Sequence, residues 1–251
     1  MVVGRTHLRT RGALVMPIRM IGILLLRLQP RRGLSLQCND LVDTIKLNEI
    51  PVVMDKWLRF VGPINEKTTQ AIFQVVDNFF ALGANHLHIL MSSGGGSVFH
   101  GLALNSYLRN LPIECTTYGF NSVQSVAVPF FCVGQQRICT PETTFMIHSV
   151  YNPQLSEQNV TPRRLREMIQ TLQEQSHAIA TVISRASGQS TDKVKEDMEG
   201  LTHFNAEQAK EYGLVHQIRD NIVPSDVGMT AIYEDGSVQY WKSPSAPAIP
   251  A

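Results

Sequence analysis

His86-Leu-His-Ile-Leu-Met-Ser-Ser-Gly-Gly-Gly-Ser-Val98 is the stretch on which the fold turns. Its first six residues read as a buried strand, the next six as a glycine-rich turn, and Val98 opens a helix that runs to about Leu108. A strand that turns directly into a helix belongs to a βα unit, so the neighbours of this stretch should carry the same pattern. Upstream they do. Trp57-Leu-Arg-Phe-Val61 reads as a short strand closed by Gly62-Pro63. From Thr68 to Leu82 apolar residues recur at helical spacing (Ile72, Val75, Val76, Phe79, Phe80), with Gly83 suited to the end of that helix.

Downstream the unit repeats. Ile113 to Tyr118 reads as a strand, Gly119 to Gln124 as a loop, and Ser125 to Val133 as an apolar helix. Two further strands, Gln136 to Cys139 and Thr144 to His148, flank Pro141. A long helix follows, with Thr161 as N-cap, Pro162 at its first position, and Leu165, Met168, Ile169 and Leu172 on one face; it ends near Gly188. Thr191 is expected to cap a short helix through Met198, and Asn205 another through Tyr212, stopped by Gly213. Leu214 to Ile218 reads as a last strand. Strands alternating with helices imply parallel βαβ units and an α/β fold.

Three domains of unequal weight result: a basic segment over 1–50, a folded domain over 51–222, and a peripheral tail over 223–251 in which Asp235-Gly236 suits a hairpin turn. The first segment carries seven arginines, Arg5, Arg9, Arg11, Arg19, Arg27, Arg31 and Arg32, before its first acidic residue, Asp40. Such a start resembles an organelle transit peptide, or lies upstream of the true start near Met54. Its apolar run Ile21 to Leu26 is far short of the roughly 20 residues that span a bilayer. Over the whole chain, 43% hydrophobic and 17% charged residues with a net charge of +1 give no push toward nucleic acid or anionic membranes. Cys38, Cys115, Cys132 and Cys139 show no metal-ligand spacing, and the last three sit in apolar runs as small buried thiols do. Asn159-Val-Thr161 matches a glycosylation sequon, a pattern short enough to arise by chance.

Amide hydrolysis by serine needs an activated hydroxyl, a base, and amides aimed at the developing oxyanion. Gly94-Gly95-Gly96 can supply amides, although glycine turns are common in α/β folds and neither a dinucleotide fingerprint nor a P-loop lysine is present. Ser125 opens an apolar helix, where most serines simply cap; Ser122 competes for either role. His148 ends a strand, where a histidine can act as a base but more often is structural. His86 and His88 alternate on one strand without a third ligand, which speaks against a metal site. Phe79, Phe80, Phe130 and Phe131 read as core.

The order of these segments resembles the proteolytic subunit of the ATP-dependent Clp protease, in its divergent bacterial and phage-type branch. The resemblance rests on Ser92-Ser-Gly-Gly-Gly-Ser-Val98, Asn121-Ser-Val-Gln-Ser125, Phe145-Met-Ile-His148 and Asn205-Ala-Glu-Gln-Ala-Lys-Glu-Tyr-Gly-Leu-Val215, and spans about 55–220. It implies the Clp-protease/crotonase fold, with the long helix protruding. It also implies a serine endopeptidase acting on peptides or unfolded proteins, a ring-shaped homo-oligomer, an AAA+ unfoldase partner, no cofactor, and a cytoplasmic or organelle-matrix location. Position by position, Ser125 matches the nucleophile, His148 the base, and the amides of Gly96 and Val126 the oxyanion hole, with Ser125 preferred over Ser122 by its register to Gly134. Three departures stand out. Gly94 replaces a proline, Asn121 and Ala127 replace glycines, and Leu201 stands where the family has the aspartate of its triad. Asp197, Glu199, Thr202 and Asn205 are the nearby polar residues that could substitute for it.

Overall fold

A computed structural model of the chain describes residues 54–151 and 161–242. The basic segment 1–50 with Cys38, and Asn159 of the sequon, lie outside the described residues. Nine strands and six helices follow in order: β1 (Asp55–Val61), α1 (Glu66–Ala81), β2 (His86–Ser93), α2 (Val98–Arg109), β3 (Glu114–Gln124), α3 (Ala127–Phe131), β4 (Gln136–Cys139), β5 (Thr144–Ile147), α4 (Pro162–Ser187), α5 (Thr191–Glu199), β6 (Thr202–Phe204), α6 (Ala206–Tyr212), β7 (Gln217–Ile218), β8 (Met229–Ile232) and β9 (Val238–Trp241).

All nine join one sheet, ordered β6-β5-β3-β2-β1-β8-β9, with β4 bridging β3 and β7 off that path. The pairs β1–β2, β2–β3, β3–β4 and β3–β5 are parallel, as the βα pattern requires, while β6 and β9 close the ends antiparallel. Alternate residues feed two cores. Leu58, Phe60, Leu87, Ile89 and Met91 pack with Ile72, Val76 and Leu104 of the first two helices, whereas Trp57, Leu90, Tyr118 and Ile138 form a smaller cluster on the opposite face with Ile222. Phe130 and Phe131 are fully buried, each worth about 1.5–3 kcal/mol of apolar burial. Phe79 is partly buried against the core, but Phe80 is 46% exposed and is not a core residue.

The expected helix Ser125–Val133 is only Ala127–Phe131, and four further boundaries differ from the sequence reading for identifiable reasons. First, α1 begins at Glu66, because Asn65 and Thr68 form a reciprocal capping box that places the cap ahead of Thr68. Second, Ser190, not Thr191, caps α5, accepting the N–H of Lys193. Third, the expected loop 119–124 is the continuation of β3. Its register to β2 slips between Met91/Gly119 and Ser93/Val123, so β3 holds two extra residues around Asn121, at φ 59. Fourth, of the expected strand 214–218 only Gln217–Ile218 pairs, because Leu214 and Val215 form the turn leaving α6.

The tail is the larger correction. Residues 229–241 are not peripheral: β8 lies parallel to β1 from Trp57/Met229 to Phe60/Ile232, and β9 pairs back on it across the turn holding Asp235-Gly236. Ala231 and Ile232 are buried.

Thr161 and Pro162 start α4 as read, and Gly188 ends it in the left-handed conformation at φ 80. At 26 residues it is about 39 Å long. Only Ile179, Ala180 and Ile183, near its C-terminal end, are buried; Leu165 and Ile169, nearer its start, are exposed.

Candidate active site

The glycine turn, Ser125 and His148 meet at the carboxyl ends of β2, β3 and β5, where an open parallel sheet offers its crevice. The serine's backbone is unusual. Ser125 has φ 56, a left-handed conformation that costs a non-glycine residue on the order of 1 kcal/mol. It is held there from both sides: its N–H donates to the Met146 carbonyl at 2.7 Å, and its own carbonyl accepts the N–H of Val128 at 3.0 Å. The helix that follows is only five residues long. Pro129 within it has no N–H to return to the Ser125 carbonyl. Ser125 therefore lies on a sharp strand-to-helix turn and is not the helix N-cap; Val126 is.

His148 follows β5 directly. Its Nδ1 lies 2.6 Å from the carbonyl oxygen of Ser149. A carbonyl only accepts, so Nδ1 carries the proton, and Nε2 presents a lone pair to the Ser125 hydroxyl, whose Oγ is 2.9 Å away. Ser122 sits three residues back, paired with Thr144 in the sheet.

The glycine turn is shaped by what it must avoid. A β-carbon on Gly95 would lie 2.6 Å from the β-carbon of Ser125, and one on Gly96 would lie 2.2 Å from the Ile64 carbonyl oxygen. Both residues also have positive φ, 96° and 146°. Hydrogen bonds from Ile64 to Gly95 and from Ser97 to Ile64, each 2.8 Å, clamp the turn on either side of Gly96. Among the described residues neither the Gly96 N–H nor the Val126 N–H has a hydrogen-bond partner. Val126 itself is buried, its side chain against Gly101. Gly94 has open space where a β-carbon would stand, unlike the two glycines that follow it.

A cavity of about 550 Å³ opens beside these groups. Gly94, Gly95, Gly96, Ser125 and His148 form its polar side; Val98, Ile147, Val150, Ile179 and Ile183 its apolar one, and among the described residues no acidic one lines it. Composition and spacing gave no warning that α4 would contribute Ile179 and Ile183.

None of the four polar residues considered as substitutes for the missing aspartate hydrogen-bonds to His148. Asp197 accepts from Tyr212 Oη at 2.8 Å and pairs with Lys193. Thr202 donates to the Asp197 carbonyl, Asn205 caps α6, and Glu199 borders a separate cleft with Ser149. Leu201, at φ 52 and 53% exposed, lies in the turn just before Thr202, whose strand partner Ile147 immediately precedes His148. The orienting acceptor is instead a backbone carbonyl, a group no side-chain pattern reveals. The buried thiols take no part: burial pushes Cys115 and Cys132 up to about 12 and Cys139 up to about 11.

One expectation about metal is corrected. His86 and His88 do have a third potential ligand, Asp55, brought alongside by β1.

Comparison with known proteins bears on the whole domain. The family model described as Clp protease matches residues 51–222. The "ATP-dependent Clp protease proteolytic subunit 3" of Rhizobium johnstonii is 24% identical over 159 residues, covering 62% of this chain and 80% of that protein. The "ATP-dependent Clp protease proteolytic subunit" of Chlorella vulgaris is 30% identical over 134 residues, 53% of this chain and 65% of that one. Among solved structures, a mutant of ClpP1 from Listeria monocytogenes superposes with a TM-score of 0.60 at 19% identity, covering 73% of this chain and 96% of that one.

Proposed function

The chain belongs to the Clp protease family, and on that premise we propose that it is a serine endopeptidase in which Ser125 is the nucleophile and His148 its base. The observation that carries this reading is the 2.9 Å approach of Ser125 Oγ to His148 Nε2, beside the N–H groups of Gly96 and Val126, which have no hydrogen-bond partner among the described residues. Ser125 Oγ attacks the peptide carbonyl as its proton passes to Nε2, and the N–H groups of Gly96 and Val126 receive the oxyanion. Collapse returns that proton to the leaving amine, and water, deprotonated by the same imidazole, frees the acyl group. The apolar wall of Val98, Ile147, Ile179 and Ile183 suits an apolar side chain next to the scissile bond.

The Ser149 carbonyl fixes the imidazole tautomer but carries no full charge with which to stabilise an imidazolium, so turnover is slower than with a carboxylate. This favours a second reading, a weakened subunit whose main task is assembly with a more active one. A crotonase-type acyl-CoA enzyme, the other activity weighed for this fold, expects acidic groups by the oxyanion amides, and among the described residues the cavity lining offers none. Residues 51–222 form the catalytic domain in this reading. The exposed apolar residues of α4, Leu165 and Ile169, support pairing of copies into a ring that receives chains from an AAA+ unfoldase. A cytoplasmic location follows, or an organelle matrix if 1–50 is a transit peptide. Among the described residues no helix is long and apolar enough to cross a membrane.

Peptide hydrolysis by the wild-type chain, Ser125→Ala and His148→Ala tests the reading. Activity should vanish in both variants with their melting temperatures unchanged. Wild-type turnover in Ser125→Ala would overturn it, and no turnover in wild type together with no fluorophosphonate labelling would favour the assembly subunit.

A further inference from the structure

On the face of the sheet that carries the smaller core, the first residues of β1 and β2 bring three metal-ligating groups together. Asp55 pairs with His86 in the parallel register, and Trp57 with His88 two residues on. Asp55 Oδ1 lies 3.2 Å from His88 Nε2 and 3.4 Å from His86 Nδ1, and the three donor atoms fall within 4.8 Å of one another. A tetrahedral ion with bonds of 2.0–2.1 Å has ligand–ligand edges of about 3.3 Å, which the separations of 3.2 and 3.4 Å match.

We propose that Asp55, His86 and His88 form a binding site for a borderline divalent cation of the zinc type. The nitrogens facing away from Asp55 are each held by a hydroxyl: His88 Nδ1 by Tyr118 at 3.0 Å and His86 Nε2 by Thr116 at 2.9 Å, both from β3. When those nitrogens donate to the hydroxyls, the remaining lone pairs of both rings point toward the carboxylate. Three acceptors then converge, and a cation satisfies all three; partners on the outer nitrogens are how metal-binding histidines are oriented. Packing narrows the freedom of the rings further. His88 lies flat on Trp57, 4.2 Å between centroids and 6° between planes, and His86 stacks on His88 at 4.1 Å with a tilt of 30°.

Access differs across the site. The side chain of Asp55 is 49% exposed and that of His86 22%, against 11% for His88, so an ion enters from solvent and keeps an open position for water. Two imidazoles and one carboxylate suit Zn²⁺, Co²⁺ or Ni²⁺ better than the all-oxygen shells of Mg²⁺ or Ca²⁺. The ion clips β1 to β2 and, through Thr116 and Tyr118, to β3. The competing arrangement has both hydroxyls donating inward and both rings donating to Asp55; it leaves no imidazole lone pair for a metal.

The full-length chain, stripped with a chelator and dialysed, is titrated with Zn²⁺ by calorimetry and with Co²⁺ by visible absorption. One ion per chain, with micromolar or tighter affinity, is expected in wild type and in Ser125→Ala alike, so the result does not depend on the peptidase reading. Asp55→Asn, at a half-exposed position that should not disturb folding, and His86→Ala should each weaken binding at least tenfold. A Zn²⁺ concentration about 100 times the Kd should raise the wild-type melting temperature by roughly 5–10 °C. No stoichiometric uptake by wild type, or uptake unchanged in Asp55→Asn and His86→Ala, would overturn the proposal.

Discussion

His148 donates its Nδ1–H to the backbone carbonyl of its own neighbour, Ser149, at 2.6 Å, while Leu201, where the resemblance implies the aspartate of a triad, stands in the turn just before β6. The imidazole is oriented without being electrostatically supported. Leu201→Asp should therefore raise kcat/KM for peptide hydrolysis, by on the order of tenfold or more, since a carboxylate stabilises the imidazolium formed during attack. Aspartate also tolerates the left-handed φ of 52 better than leucine does, so the melting temperature should hold or rise. Steady-state kinetics and thermal melts check both halves, and a Leu201→Asn control separates charge from backbone relief.

Two adjacent glycines should differ in their tolerance of a methyl group. Gly95→Ala drives a methyl into Ser125 and forces an alanine to positive φ, so activity should fall at least 100-fold with about 1–3 kcal/mol of stability lost. Gly94→Ala meets nothing within 4 Å and should keep near-wild-type activity. Paired melts and hydrolysis rates of the two variants make the comparison.

Arg137 is a stability element that the sequence reading did not single out. Only 5% exposed, it reaches the carbonyls of Leu214 at 2.7 Å, Gly134 at 3.0 Å, Ala186 at 2.7 Å and Gly213 at 3.1 Å, so one guanidinium ties β4 to the ends of α4 and α6. Arg137→Met leaves those carbonyls without a donor and should cost about 3 kcal/mol or more, on the order of 6–12 °C in melting temperature. A denaturant or thermal melt of the variant checks this.

Acid should weaken the same junction. Partial burial, and after it the Arg137 guanidinium 2.8 Å away, hold the His216 imidazole below the usual histidine range. As pH falls the unfolded chain takes up this proton first, near pH ~6.5, while the folded one resists it. The contribution of His216 is thus complete above that pH and lost as pH falls toward the lower folded value. The wild-type melting temperature should drop between roughly pH 7 and pH 5, and His216→Gln should flatten part of that slope.

What the sequence made legible is what local patterns encode. Apolar periodicity found α1 and α4, caps at Thr161 and Asn205 and left-handed glycines at Gly188 and Gly213 fixed the ends of α4 and α6, and the glycine turn located the crevice. Elements that exist only through partners were missed. Strands β6, β8 and β9 run three to four residues each and are defined by pairing with distant strands, so no local period announces them. The site divides in the same way. Ser125 and His148 were nameable as residue types, but the strained turn that presents the serine depends on the Met146 carbonyl and on Pro129 together. The acceptor behind His148 is a main-chain oxygen. Asp55 joins His86 and His88 only because β1 and β2 are parallel and in register.

The most direct test is to locate the covalent adduct. After treatment with a fluorophosphonate, the intact chain is digested and the modified residue identified by mass spectrometry, for wild type and for His148→Ala. This account predicts one adduct, on Ser125, lost or strongly slowed when the imidazole is removed. An adduct on Ser122, or labelling of Ser125 that proceeds at the same rate without His148, would contradict it.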